Sequence, residues 1–233
     1  MTSTKTLART AGVLYLLVGL LGGFSEYVRT TVTVPSDAQA TAASIVQHAT
    51  LFRIGVVTDL VDFTCFLGVG LILYSILKPV DSRVAMAMLV INAISVAMQA
   101  LNMLNQVGAL MVATNQTYGS GMSSLLFLEL HRHGYLIAQI FFGGYMLPLG
   151  YLVYRSAMFP KALGIVLMVG CGGYLMGVAA TYLSSSLESS IAIYFGLIGG
   201  LAEVAFLLWL LIAGASAPKA QSSSLQGALQ WKA

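Results

Sequence analysis

Charged side chains make up only 8% of this chain, against about a quarter in an average soluble domain, and that scarcity excludes a soluble globular fold. Polar stretches longer than a few residues are confined to two loops and the C-terminal tail, so the 233 residues leave no room for a second, soluble domain. The two cysteines, Cys65 and Cys171, both fall within apolar segments; they are small packing residues, with no sign of a disulfide framework or a cysteine metal cluster. No basic patch interleaved with aromatics is present, which argues against nucleic acid as a partner. Phosphate-binding glycine loops, dinucleotide fingerprints and zincin helices are missing too, and no cofactor is expected. Ser95, Thr58 and Thr64 have no identifiable base and Cys65 has no partner, so no activated nucleophile is visible. What is there instead is apolar: 58% hydrophobic residues and a mean hydropathy of +0.87 define an integral, all-α membrane protein.

Apolar runs of spanning length, about 20 residues or more, fall at 10–28, 51–77, 83–113, 131–154, 163–183 and 190–213. They predict a six-transmembrane-helix bundle over residues 1–214 and a mobile cytoplasmic tail over 215–233, in which Trp231 and Lys232 can reach the membrane surface. Between the first two runs, Ser36-Asp37-Ala38-Gln39 reads as a capping box opening a short interfacial helix that continues through His48. Residues 114–124 read as a loop, and Glu188 falls in the last turn between spans. Six spans place Lys5, Arg9, Lys78, Arg83, Arg155, Lys161, Lys219 and Lys232 on one side and Arg29, Arg53 and Arg132 on the other, together the 11 basic residues. Because positive loops stay in the cytoplasm, both termini are predicted to be cytoplasmic.

The second run carries two acids, Asp59 and Asp62, three residues apart and therefore on one helical face. Each costs about 3 kcal/mol at the centre of a spanning helix, so both should face protein or water and not lipid. On the third run Asn92, Ser95, Gln99, Asn102 and Gln106 form one stripe, with Asn105 beside it; the first supplies Tyr15, Gly19, Gly22, Glu26 and Arg29, the fourth His131, Tyr135 and Gln139, and the sixth Glu203 behind a face of glycines. Asp59 and Asp62 lie roughly 9 and 14 Å inward of Arg53, in the same outer half as Gln99, Gln106, Glu26, His133 and Gln139, with Glu203 near mid-membrane. The pattern predicts a polar chamber opening away from the cytoplasm, with Asp59, Asp62, Gln99, Asn102, Gln106, Glu203, Glu26, Arg53, His133 and Gln139 as candidate ligand-binding residues. The competing expectation is that these groups only join helices, with Arg29, Arg53 and Arg132 neutralising Glu26, Asp59 and Glu129. His131 and His133 stand about 200° apart on a helix, so they do not make a metal pair, and no metal is expected.

Several motifs carry a family resemblance. Ala8-Arg9-Thr10-Ala11-Gly12-Val13-Leu14-Tyr15-Leu16, Phe52-Arg53-Ile54-Gly55 leading to Asp59, Gly150-Tyr151-Leu152-Val153-Tyr154-Arg155-Ser156, Phe159-Pro160-Lys161-Ala162-Leu163-Gly164, Gly173-Tyr174 and Leu208-Trp209-Leu210 resemble the multi-pass bacterial membrane proteins of domain-of-unknown-function family 4386. The resemblance covers most of the chain to about residue 214. It implies a bacterial plasma membrane location and brings no activity, cofactor or catalytic residue with it. The residues themselves favour a protein that binds a small molecule or lipid headgroup within the bilayer, with Asp59, Asp62 and Glu203 as polar or protonatable contacts that would suit proton-coupled transport. An intramembrane enzyme using a buried carboxylate as general base, and a structural or regulatory partner of another membrane protein, are the alternatives. Oligomeric state is not encoded in any feature of the sequence.

Overall fold

The structure, a computed structural model, describes residues 3–118, 121–183 and 192–216. Among these the regular elements are helices: α1 (Thr4–Val32), α2 (Ala38–Gln47), α3 (Ala49–Leu77), α4 (Ser82–Thr114), α5 (Ser123–Gly144), α6 (Met146–Arg155), α7 (Lys161–Leu183) and α8 (Ala192–Ile212), with a 3-10 turn at Gln116–Tyr118. Six stretches are long and apolar enough to cross a bilayer: α1, α3, α4, α5 continued into α6, α7, and Tyr194–Ile212 of α8. The expected tail beyond Ser216, with Lys219, Trp231 and Lys232, lies outside the described residues, as do Gly119 and the turn carrying Glu188.

Local chemistry sets the ends. Ser3 caps α1 by accepting from the Thr6 N–H at 3.1 Å, and Asp81 caps α4 through the Arg83 and Val84 N–H groups at 3.0 and 3.1 Å. The cap of α2 is Asp37, not the expected Ser36: Ser36 takes a left-handed backbone with φ 62, and the Asp37 carboxylate accepts from Ala40 N–H at 2.8 Å. Span four begins at Ser123, ahead of the expected residue 131, because the apolar stretch Leu125 to Leu128 joins the helix and is not a separate lead-in. It breaks at Tyr145. Pro148 has no N–H for the Gly144 carbonyl, and Gly143 and Gly144 resist helix formation on the other side of the break. After α8, Gly214 at φ 70 turns the chain, Ala215 is buried, and Ser216 N–H donates to the Met158 carbonyl at 3.1 Å.

The spans pack in chain order as a ring: α1 on α3, α3 on α4, α4 on α5, α5 on α7, α7 on α8, and α8 back on α1, with α6 wedged between α7 and α4. The ring closes where α8 meets α1, the Leu210–Leu211 backbone lying against Gly12 with no room for a side chain. At the end bearing the N-terminus, the ring is filled by fully buried Leu73, Leu77, Met88, Leu149, Phe206 and Leu210. At the opposite end a smaller apolar cluster of Val28, Val32, Ile45, Phe52, Ala109 and Leu128 anchors α2 and the helix ends. Between the two, the inward faces turn polar.

A polar funnel inside the helical ring

Asp59 joins four helices. Its Oδ2 accepts from Arg29 Nη1 of α1 at 2.6 Å and from Gln106 Nε2 of α4 at 3.0 Å. The same amide nitrogen lies 3.1 Å from Nε2 of His131 on α5. With its two protons given to Asp59 and His131, Gln106 leaves the histidine proton on Nδ1, which faces the Asn102 carbonyl at 3.4 Å. Arg29 also holds Glu26 through Nε and Nη2, at 3.0 and 2.9 Å. One turn deeper on α3, Asp62 is also buried, yet its Oδ1 has no hydrogen-bond partner.

Glu203 sits further in, on α8. Tyr15 of α1 donates to its Oε1 and Tyr174 of α7 to its Oε2, the latter at 2.6 Å. Since Tyr15 gives its proton to Glu203, the 2.6 Å contact between the Tyr15 and Tyr145 hydroxyls has Tyr145 as donor. Tyr145, at the junction of α5 and α6, is therefore the third phenol of this cluster. All four residues are buried.

Two cavities connect these groups. An outer one of about 610 Å³ is lined by Glu26, Arg29, Asp59, Asp62, His131, Arg132 and Gln139 among others. An inner one of about 290 Å³ is lined by Tyr15, Asp62, Ser95, Gln99, Tyr174 and Glu203 among others, with no lysine or arginine among the described residues that line it. Gly22, Asp62, Phe63 and Tyr135 belong to both, so they form one funnel leading from the helix ends opposite the N-terminus down to Glu203.

Of the expected site residues, Asp59, Asp62, Glu26, Gln139, Gln99 and Glu203 line this funnel, and Gln106 stands directly behind Asp59. Three do not. Arg53 is exposed, and Asp59 pairs with Arg29 in its place; six residues along a helix turn about 600°, which puts Arg53 and Asp59 on different faces. His133 points away, its Nδ1 3.2 Å from the Tyr182 hydroxyl, and His131 faces inward instead, as a helical start to the span requires. Asn102 is spent on packing: it donates to the His131 carbonyl at 2.8 Å, and a side chain at Gly134 would overlap its amide. The tyrosine clamp on Glu203 is not among the sequence expectations. Its signal is depth, because Tyr15, Tyr145 and Tyr174 lie well inside apolar runs, away from the interfaces where tyrosine usually sits.

Six apolar spans closed into a ring around a polar interior define a multi-pass helical membrane protein. The chain belongs to the family described as Domain of unknown function (DUF4386), which matches residues 10–214. It is also similar to a protein of Archaeoglobus fulgidus described as uncharacterized, 33% identical over 78 residues, which is 34% of this chain and 44% of that protein. The chain thus matches less than half of that relative's length. No solved structure matches it.

Proposed function

We propose that the protein lies in the bacterial plasma membrane with its termini cytoplasmic, and that its outward-opening funnel binds a small molecule or lipid headgroup in proton-coupled transport. The observation that carries this reading is the pair of carboxyls, Asp62 and Glu203, on one continuous cavity whose inner part is lined, among the described residues, by no basic side chain. A carboxylate taken from water without a counter-ion is too costly to persist, so each site must take up a proton or a cationic group. Alternation between the two is the exchange that proton coupling requires. The apolar plug of Leu73, Leu77, Met88, Leu149, Phe206 and Leu210 supports the same reading, since a transporter caught open to one side is sealed toward the other.

The test uses a cysteine-free background carrying Cys65→Ala and Cys171→Ala. Gln99→Cys, in the inner cavity, should react with a membrane-impermeant thiol reagent added outside intact cells. The Asp62→Asn, Glu203→Gln double variant should melt within a few degrees of wild type in detergent, while native mass spectrometry shows loss of any small molecule that wild type carries. An unreactive Gln99→Cys, or a double variant that keeps its passenger at wild-type occupancy, overturns the proposal.

A further inference from the structure

We infer that the inner cavity is built for an organic cation, a protonated amine on a compact apolar body. This rests on the funnel being a ligand chamber, as proposed above, and names what it takes.

Three independent features of the inner cavity agree. First, three residues of its lining carry a buried polar atom without a hydrogen-bond partner, Asp62 Oδ1, Gln99 Oε1 and Ser95 Oγ, on residues 8%, 5% and 0% exposed. The amide oxygen accepts, Asp62 accepts in its ionised form, and the hydroxyl can accept as well. Buried acceptors left open cost free energy that only a donor restores, so the occupant they fit brings N–H groups and not lone pairs. Second, Asp62 and Glu203 set the sign of charge, and among the described residues no lysine or arginine in the lining opposes them. An anion or phosphate in the inner cavity would meet two acids, the arginines Arg29 and Arg132 standing in the outer one. Third, six rings wall the space: Tyr15, Phe63, Phe66, Tyr135, Phe142 and Tyr174. Aromatic faces attract cations and give apolar contact to the rest of the molecule.

Size and access narrow the class further. A volume of about 290 Å³ is near the lower end of ligand pockets, which suits a single small ring or short chain. α1 and α8 touch at Gly12 and through Tyr15 and Glu203, and open space flanks α1 beyond that. Gly19 and Gly23 in that space have no atom within 4 Å of where a side chain would begin, and half-exposed Val204 stands opposite on α8. The cavity therefore also opens sideways toward the hydrocarbon, a route for the apolar body of an amine.

The experiment titrates the full chain in nanodiscs with three probes of one shape: 2-phenylethylamine, its neutral counterpart 2-phenylethanol, and phenylacetate. The amine should bind at least about tenfold more tightly than either of the others, the range expected of a charge-assisted hydrogen bond in a buried site, and Asp62→Asn should remove that preference. Equal or tighter binding of the alcohol or the acid overturns the inference, as does an amine affinity unchanged in Asp62→Asn. Should Asp62→Asn fail to fold, the ranking of the three probes on wild type decides alone. If none of the three binds although Gln99→Cys labels from outside, the ligand class is wrong and the chamber stands. If Gln99→Cys does not label, the chamber itself is wrong.

Discussion

Arg29 holds two carboxylates at once, exposed Glu26 at the mouth and buried Asp59 one layer in, with side chains 63% and 4% exposed. The two pairs are not equivalent. The contact with Glu26 is a surface pair worth no more than about 1 kcal/mol, whereas removing the partner of a buried charge costs about 3–5 kcal/mol. Arg29→Gln should therefore destabilise the protein by roughly that amount, lowered somewhat because Gln106 still donates to Asp59. Adding Asp59→Asn should recover most of the loss, since neutral groups of the same shape leave no charge stranded. Arg53→Gln, at an exposed position, should stay within about 0.5 kcal/mol of wild type. Unfolding curves in detergent for the four proteins check this, and a strong effect at Arg53 with none at Arg29 would show that Asp59 has a different counter-ion.

At the scale of the helix, backbone contact decides how closely the spans approach. A Cβ on Gly164 of α7 would stand 2.6 Å from both the Gly150 carbonyl oxygen and the Tyr154 nitrogen of α6, and these are backbone atoms that cannot swing aside. Gly164→Ala should thus force α6 and α7 apart at a cost of about 1–3 kcal/mol. Gly172, two turns along the same helix, has nothing within 4 Å of a built Cβ, and Gly172→Ala should be neutral or stabilising by up to about 1 kcal/mol through helix propensity alone. The melting temperatures of the two single variants should move in opposite directions or one should not move; an equal fall in both would mean that the crossing at Gly164 is not close. The break at Tyr145 is the other event at this scale, and it falls on the residue whose phenol donates to Tyr15.

For the whole molecule, orientation in the membrane follows from charge and not from packing. In the cysteine-free background, Thr117→Cys should be labelled by an impermeant reagent outside intact cells and Ser82→Cys only after lysis; the two positions lie at opposite ends of α4. The reverse pattern would invert the protein and turn the funnel toward the cytoplasm. The ring itself gives the orientation its meaning, since one end is filled with leucine, methionine and phenylalanine and the other is open.

Hydropathy and helical period are properties of single segments, and for that reason six spans, the inward stripe of Asn92, Ser95, Gln99, Asn102 and Gln106, and the shared face of Asp59 and Asp62 are all legible in the sequence. Burial costs also locate the acids inside the bundle, because a carboxyl has few other places to go at that depth. Pairing is a different matter. Sequence order suggests Arg53 as the counter-ion of Asp59, helix period argues against it, and neither names the arginine that takes its place. Which one reaches Asp59 depends on how α1 is rotated against α3, and that rotation is set by small residues along the contact, among them Gly55 lying against Val28. The same holds for Glu203: its two phenol donors come from α1 and α7, a third phenol from the junction of α5 with α6 reaches Tyr15, and only a ring that closes α8 onto α1 brings them together. Segment chemistry determined what must be inside; the angles at which helices pack determined what meets there.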